Sequence, residues 1–219
     1  MPTGEPSTPP DAARGERPLS WASSSAERDL RVASAQALVG REILAVRYCN
    51  IDYSRWDLAR GTLGPRVVTS PGEWESPTWR YAACDSIDYG IEIETTLGEV
   101  FSVSWDPPGT VEGIGIVAEP IPTALRPDAD VAMWDVTDRS EWSQHVGATV
   151  QGVGLHYVPW DEPDDSWWCP RLSIRLPGGD VEVLLADTAN DGTIVPSADN
   201  VVVLFGPDEL PSWVRSAQS

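Results

Sequence analysis

The feature that most constrains this chain is an alternating pattern that it writes twice. Residues 90–109, GIEIETTLGEVFSVSWDPPG, and 171–187, RLSIRLPGGDVEVLLAD, each place apolar side chains at every second position on both sides of a glycine-bearing turn. A period of two gives a strand one face for a core and one for water, and two such runs around a short turn make a hairpin. The stretches match at a constant offset of 81, pairing Ile91 with Leu172, Ile93 with Ile174, Gly98 with Gly179, Val100 with Val181, Val103 with Leu184 and Asp106 with Asp187. Both glycines are therefore expected in hairpin turns.

Upstream of each hairpin lies a second match, at an offset of 107. Val39 pairs with Val146, Gly40 with Gly147, Ile43 with Val150, Val46 with Val153 and Tyr48 with Leu155. The offset falls from 107 to 81 because the first intervening loop is 26 residues longer. Closing strands, GIGIV from 113 and NVVVLF from 200, pair less securely. The pattern predicts an internal duplication and an α+β, mostly β chain. It would hold two pseudo-repeated antiparallel meander units of about four strands, each preceded by a helix or helical turn. Coincidental alternation in a β-rich chain is the competing explanation.

Domain limits follow from composition. Residues 1–22 are rich in Pro, Ser, Gly and charge and hold almost nothing to bury, so a disordered leader is expected there. SSSAERDLRVASAQALVG reads as a helix with serine caps, Leu30, Ala33, Ala37 and Leu38 at helical spacing, and Gly40 as its stop. The first unit then spans 23–124, a Pro- and acid-containing linker 125–137, the second and shorter unit 138–206, and a tail 207–219. DRSEWSQHV stands as the shortened counterpart of the first helix. Without a secretion-type start or a run of ~20 apolar residues, a cytoplasmic location is the default expectation. Cys49, Cys84 and Cys169 are odd in number and widely spaced, so they are expected to be buried, reduced thiols.

The formal charge is −19, and every one of the 15 basic residues is arginine. That excludes lysine Schiff-base chemistry and a phosphate-loop lysine, and the negative field argues against nucleic acid as a partner. A basic protein partner and a merely solubilising acidic surface both remain consistent with it. Six of the 11 tryptophans fall in the two variable loops. Loop one holds Trp56, Trp74 and Trp79; loop two holds Trp160, Asp161, Glu162, Asp164, Asp165, Trp167 and Trp168. Indoles recur at the centres of protein interfaces, and an acidic rim suits an Arg- or Lys-rich partner. The same rings could instead fold back to roof the sheets.

Catalytic signals are weaker. Asp85, Asp88, Glu92, Glu94, Asp106 and Glu112 crowd the first hairpin, but alternation puts Glu92 and Glu94 on a face expected to be wet, and Ser173 and Arg175 replace them in the second copy. DTANDGT from 187 begins like a calcium loop, yet Ala189 and Ala198 stand where ligands are needed, so an Asx/Gly turn is expected. His145 and His156 have no Ser or Cys at motif spacing, and no cofactor or metal is expected. The sequence thus favours a non-enzymatic acidic binding module of the inhibitor or immunity type, gripping a basic protein through its Trp-bearing loops. The alternative is a carboxylate-dependent hydrolase or sugar-binding protein with a cleft between the repeats. Assembly into an oligomer would require an exposed apolar strand edge.

Overall fold

The computed structural model describes residues 22–52, 65–106, 113–121, 131–160, 165–206 and 210–216. The alternating segments all become strands. The first part of the chain supplies β1 (Ile43–Ile51), β2 (Arg66–Val67), β3 (Asp85–Ile87), β4 (Gly90–Thr95), β5 (Val100–Asp106), β6 (Gly113–Val117) and β7 (Val131–Asp135). The second supplies β8 (Gly152–Leu155), β9 (Val158–Pro159), β10 (Trp167–Trp168), β11 (Arg171–Arg175), β12 (Val181–Thr188) and β13 (Ile194–Phe205). Helices are few: α1 (Ser25–Ala35), α2 (Pro71–Glu75), α3 (Ser140–Ser143) and α4 (Ser212–Ser216).

One sheet has the order β2-β7-β1-β4-β5-β6 and the other β3-β13-β12-β11-β8, with β9 and β10 forming a separate ribbon. Every pairing is antiparallel except β2 with β7. Each sheet thus contains a four-stranded meander, β1-β4-β5-β6 in one and β8-β11-β12-β13 in the other. Val46, Ile91, Ile93 and Val103 from the first sheet join Leu172, Ile174, Val183 and Val203 from the second in one buried cluster. Two one-sided apolar faces have solved the same problem by covering each other. A smaller cluster, with Leu184, Val202, Leu204, Leu210 and Val214, covers the outer face of the second sheet.

Gly98 and Gly179 both lie in hairpin turns at positive φ. The single offset of 81, however, fails across the turn. Ile93 faces Phe101 and Ile91 faces Val103, whereas Ile174 faces Val181 and Leu172 faces Val183. The second connection is one residue shorter, so the return strands correspond at 80 rather than 81. Since a one-residue slip exchanges the two faces of a strand, Leu184 points outward, into the smaller cluster, while Val103 points inward.

The segments preceding β1 and β8 meet each other. Gly40 N–H donates to Val150 O and Gly147 N–H to Ile43 O, each at 2.9 Å; Ile43 N–H donates to Ala148 O at 3.0 Å and Val150 N–H to Arg41 O at 2.9 Å. Applying the 107-residue offset to any of these bonds produces its counterpart. Gly40 and Gly147 have φ of 81° and 77°, a left-handed conformation that glycine adopts without a steric penalty.

Several expected boundaries change. The 125–137 segment, expected to be a linker, carries β7, which pairs with β1 because VAMWD is buried on both faces. The separate units share one core, since neither sheet buries its inner face alone. Ala22, assigned to the leader, is fully buried and exchanges backbone hydrogen bonds with Trp167. The tail contributes Leu210, Val214 and α4. Helix α1 starts as expected, with the Ser24 hydroxyl accepting from Glu27 N–H, but stops at Ala35 and passes into a 3-10 turn, Gln36–Leu38. It touches β8 along a narrow edge, where Gln36 Nε2 donates to Val153 O, so Ala35 and Leu38 are buried while Leu30, Ala33 and Ala37 are exposed.

Candidate functional site

The loop tryptophans take different roles. Trp79 is 2% exposed, with its ring edge-on to Tyr48 at 5.0 Å and to Trp134 at 6.4 Å, so it is a core residue that no partner reaches. Burial follows from its place beside β3, where Ser86 N–H donates to Trp79 O. Trp74 is half-buried: its Nε1 donates to Val68 O, and the Arg139 guanidinium lies 4.7 Å over its ring. Both rings roof or fill the sandwich, as the competing reading of the loops expected. Trp56, Asp161, Glu162 and Asp164 lie outside the described residues.

Loop two is held against the start of α1. Asp165 accepts from Ser25 N–H at 2.9 Å, from the Ser25 hydroxyl at 2.7 Å and from Trp167 Nε1 at 3.0 Å, and Arg28 stacks 4.2 Å over the Trp167 ring. These donors hold the exposed Asp165 carboxyl below its ordinary range, with the Ser25 backbone as the largest influence. Trp160 packs edge-on against Trp168 at 5.8 Å. The structure therefore gathers Trp160, Asp165, Trp167 and Trp168 at one place and leaves Trp74 and Trp79 in another.

Trp168 also forms one wall of a cavity of about 300 Å3 on the outer face of the second sheet. Val158, Pro170, Pro196, Trp213 and Val214 complete its walls together with His156 and Arg171, and the lining is almost wholly apolar. Pro196 is placed there by a register shift between Leu185 and Ala186, a bulge in the β12–β13 ladder. Arg171 grips Glu182 through two bonds of 2.7 and 2.8 Å, both side chains being buried. His156 Nε2 and Ser173 Oγ lie 2.8 Å apart. Burial, reinforced by Arg171, depresses the imidazole to about 4, so it is neutral and a weak base at physiological pH. Room for this contact depends on Gly154, where a Cβ would stand 2.7 Å from Ser173 Oγ.

Sequence spacing missed this group because its members come from five separate elements, β9, β10, β11, β13 and α4. The legible signal was the alternation itself: Arg171, Ser173 and Glu182 occupy the outward positions between inward apolar residues. Trp213 was hidden in a stretch read as a tail.

Among the described carboxylates of the first hairpin, Asp85, Glu92 and Glu94 are each bonded within the fold, and Glu112 lies outside the described residues. Glu92 was expected to be wet but is 2% exposed, because the chain at 118–121 crosses over it and Ile121 N–H donates to its Oε1 at 2.8 Å. Burial raises its pKa above the ordinary carboxylate range. Glu94 pairs with Arg47. Asp85 accepts from the Tyr48 hydroxyl at 2.7 Å, which in turn accepts from Trp142 Nε1 at 2.7 Å. Burial raises Asp85 to about 6, opposed by the Tyr48 bond.

The space between the sheets is filled by apolar side chains, so the cleft expected between the repeats is occupied by the core. Residues 189–193 form the hairpin turn between β12 and β13, in which Asp191 accepts from Thr193 N–H, as an Asx/Gly turn does. No cluster of potential metal ligands occurs among the described residues. Cys49, Cys84 and Cys169 are buried thiols outside any disulfide. Among the described residues, no helix is long and apolar enough to cross a membrane. Comparison with protein-family models, curated proteins and solved structures yields no match, and function has to be argued from these surfaces alone.

Proposed function

We propose that this is a non-enzymatic, cytoplasmic binding module of the inhibitor or immunity type that holds a basic protein partner. The observation that carries the reading is how the charge is partitioned. Arg28, Arg31, Arg41, Arg47, Arg66 and Arg171 each hold a carboxylate of the same chain. Glu42, Glu75, Glu119, Asp138 and Asp199 face solvent. Arginines engaged in this way leave the surplus acids to set the outward field, which accelerates encounter with a cationic surface. Loop two is the favoured contact, with half-buried Trp160, Trp167 and Trp168 beside exposed Asp165 and the adjoining Asp161, Glu162 and Asp164.

The architecture is read as a duplicated unit of helix or helical turn, strand, loop, hairpin and closing strand. Its support is the set of junction hydrogen bonds that the 107-residue offset carries into one another. Under this reading two loops of common origin have diverged, one into a roof and one into a contact.

The test is affinity capture from the native host, followed by association kinetics with the purified partner. The expected partner has a strongly basic surface, and its association rate falls about tenfold between low and high salt. Reversing Asp161, Glu162 and Asp164 to Arg, with Asp165 kept because it ties loop two to α1, should slow association and flatten that salt dependence without moving the melting temperature. A captured partner that is acidic, or one whose association ignores both salt and the reversal, overturns the reading.

A further inference from the structure

We propose that the cavity between β11, loop two, the β13 bulge and α4 is a binding site for a small neutral aromatic molecule, of the toluene or indole type. This does not rest on the partner-binding reading, and either can fail alone.

Size comes first. A dry cavity of ~150 Å3 accommodates a benzene ring, so the ~300 Å3 here suits one substituted ring or a fused pair. The walls come next. Two indoles, Trp168 and Trp213, and two prolines, Pro170 and Pro196, offer flat or edge-on apolar contacts to a ring. Trp168, Trp213 and Val158 are only half-buried, so apolar surface that a ligand would cover now faces solvent.

The lining decides charge. Arg171 is held by the bidentate Glu182 and His156 lies 2.8 Å from Ser173, so their polar groups turn to protein partners and the surface left to a ligand is almost wholly apolar. An anion gains no uncompensated cation there and approaches a protein of charge −19. A cation is drawn by that field and by the indoles but finds almost no polar surface to replace its water. A neutral ligand pays neither penalty. A sugar ring, polar around its whole rim, would leave most hydroxyls against Val158, Pro170 and Val214 without partners.

The experiment is saturation-transfer NMR and calorimetry on the full chain at neutral pH, with toluene and indole as probes. Benzoate and benzylammonium serve as comparisons. The neutral probes should bind with dissociation constants of about 1 mM or tighter, and the charged analogues at least about tenfold more weakly. Val158→Trp fills the cavity and should abolish binding at an unchanged melting temperature. Should that variant fail to fold, Pro196→Trp places the same bulk on the exposed rim. Absence of transfer to both neutral probes from the folded protein overturns the proposal, as does undiminished binding in the folded filling variants or benzylammonium binding as tightly as toluene.

Discussion

Asp85 and Tyr48 bind two strands of different sheets through one hydrogen bond, with Trp142 donating behind them. Because burial holds Asp85 near 6, above its ordinary 3.8, the folded state favours the protonated acid. Its contribution to stability is therefore complete below about pH 3.8 and lost as pH rises through 6. Asn keeps an oxygen to accept from Tyr48 but carries no charge. Urea unfolding should show the stability of Asp85→Asn rising relative to the parent by ~2 kcal/mol between pH 4 and pH 7. A difference independent of pH would place the carboxyl in a more hydrated setting than the structure gives it. The tryptophans separate equally sharply. Trp79→Ala should cost ~3–5 kcal/mol, as a buried indole leaves a large void, whereas Trp167→Ala removes a half-exposed ring under Arg28 and should cost ~1 kcal/mol. Comparable losses for the two would contradict their assigned places. Sequence alone left this choice open, because an indole in a loop reads the same whether it roofs a sheet or faces a partner.

Hairpins were legible where the period of two survived: Ile91, Ile93, Leu172 and Ile174 point inward as alternation requires. Register beyond the turn was not, since one residue fewer in the 175–180 connection inverts Leu184, and turn length is not set by strand pattern. β7 escaped because VAMWD is a short continuous apolar run among prolines and acids, without alternation to announce it. The junction between halves offers a test at this scale. Gly40 and Gly147 both have positive φ, and no atom lies within 4 Å of where a Cβ would stand at either. Alanine there should meet a conformational penalty alone. Gly40→Ala and Gly147→Ala should each cost ~1 kcal/mol, and by similar amounts, in denaturant titrations. If one is neutral and the other severe, the two junction strands are not equivalent in energy, whatever their hydrogen bonds.

At the scale of the molecule, two sheets with one core should unfold together, so calorimetry and tryptophan fluorescence should report a single coincident transition. Charge governs how that transition responds to salt. Added salt weakens two opposing terms: attraction within the arginine–carboxylate pairs, and repulsion among the surplus acids. Pairs that are partly exposed, such as Arg41–Glu99 and Arg66–Glu73, are each worth only ~0–1 kcal/mol, and the buried Arg171–Glu182 pair is screened little. Repulsion involves 34 acids against 15 arginines and acts across the whole surface. The second term therefore wins. Raising sodium chloride from ~10 to ~200 mM should increase the melting temperature by a few degrees, since the Debye length shrinks from ~30 Å to under ~10 Å and like charges on neighbouring strands stop sensing one another. Chloride in this range leaves apolar hydration nearly unchanged, so the rise reports screening rather than salting-out. A melting temperature that falls over the same range would mean that the ion pairs, and not the outward acids, dominate the electrostatics of the fold. The charge partition behind the proposed attraction to a basic partner would then lose its physical basis.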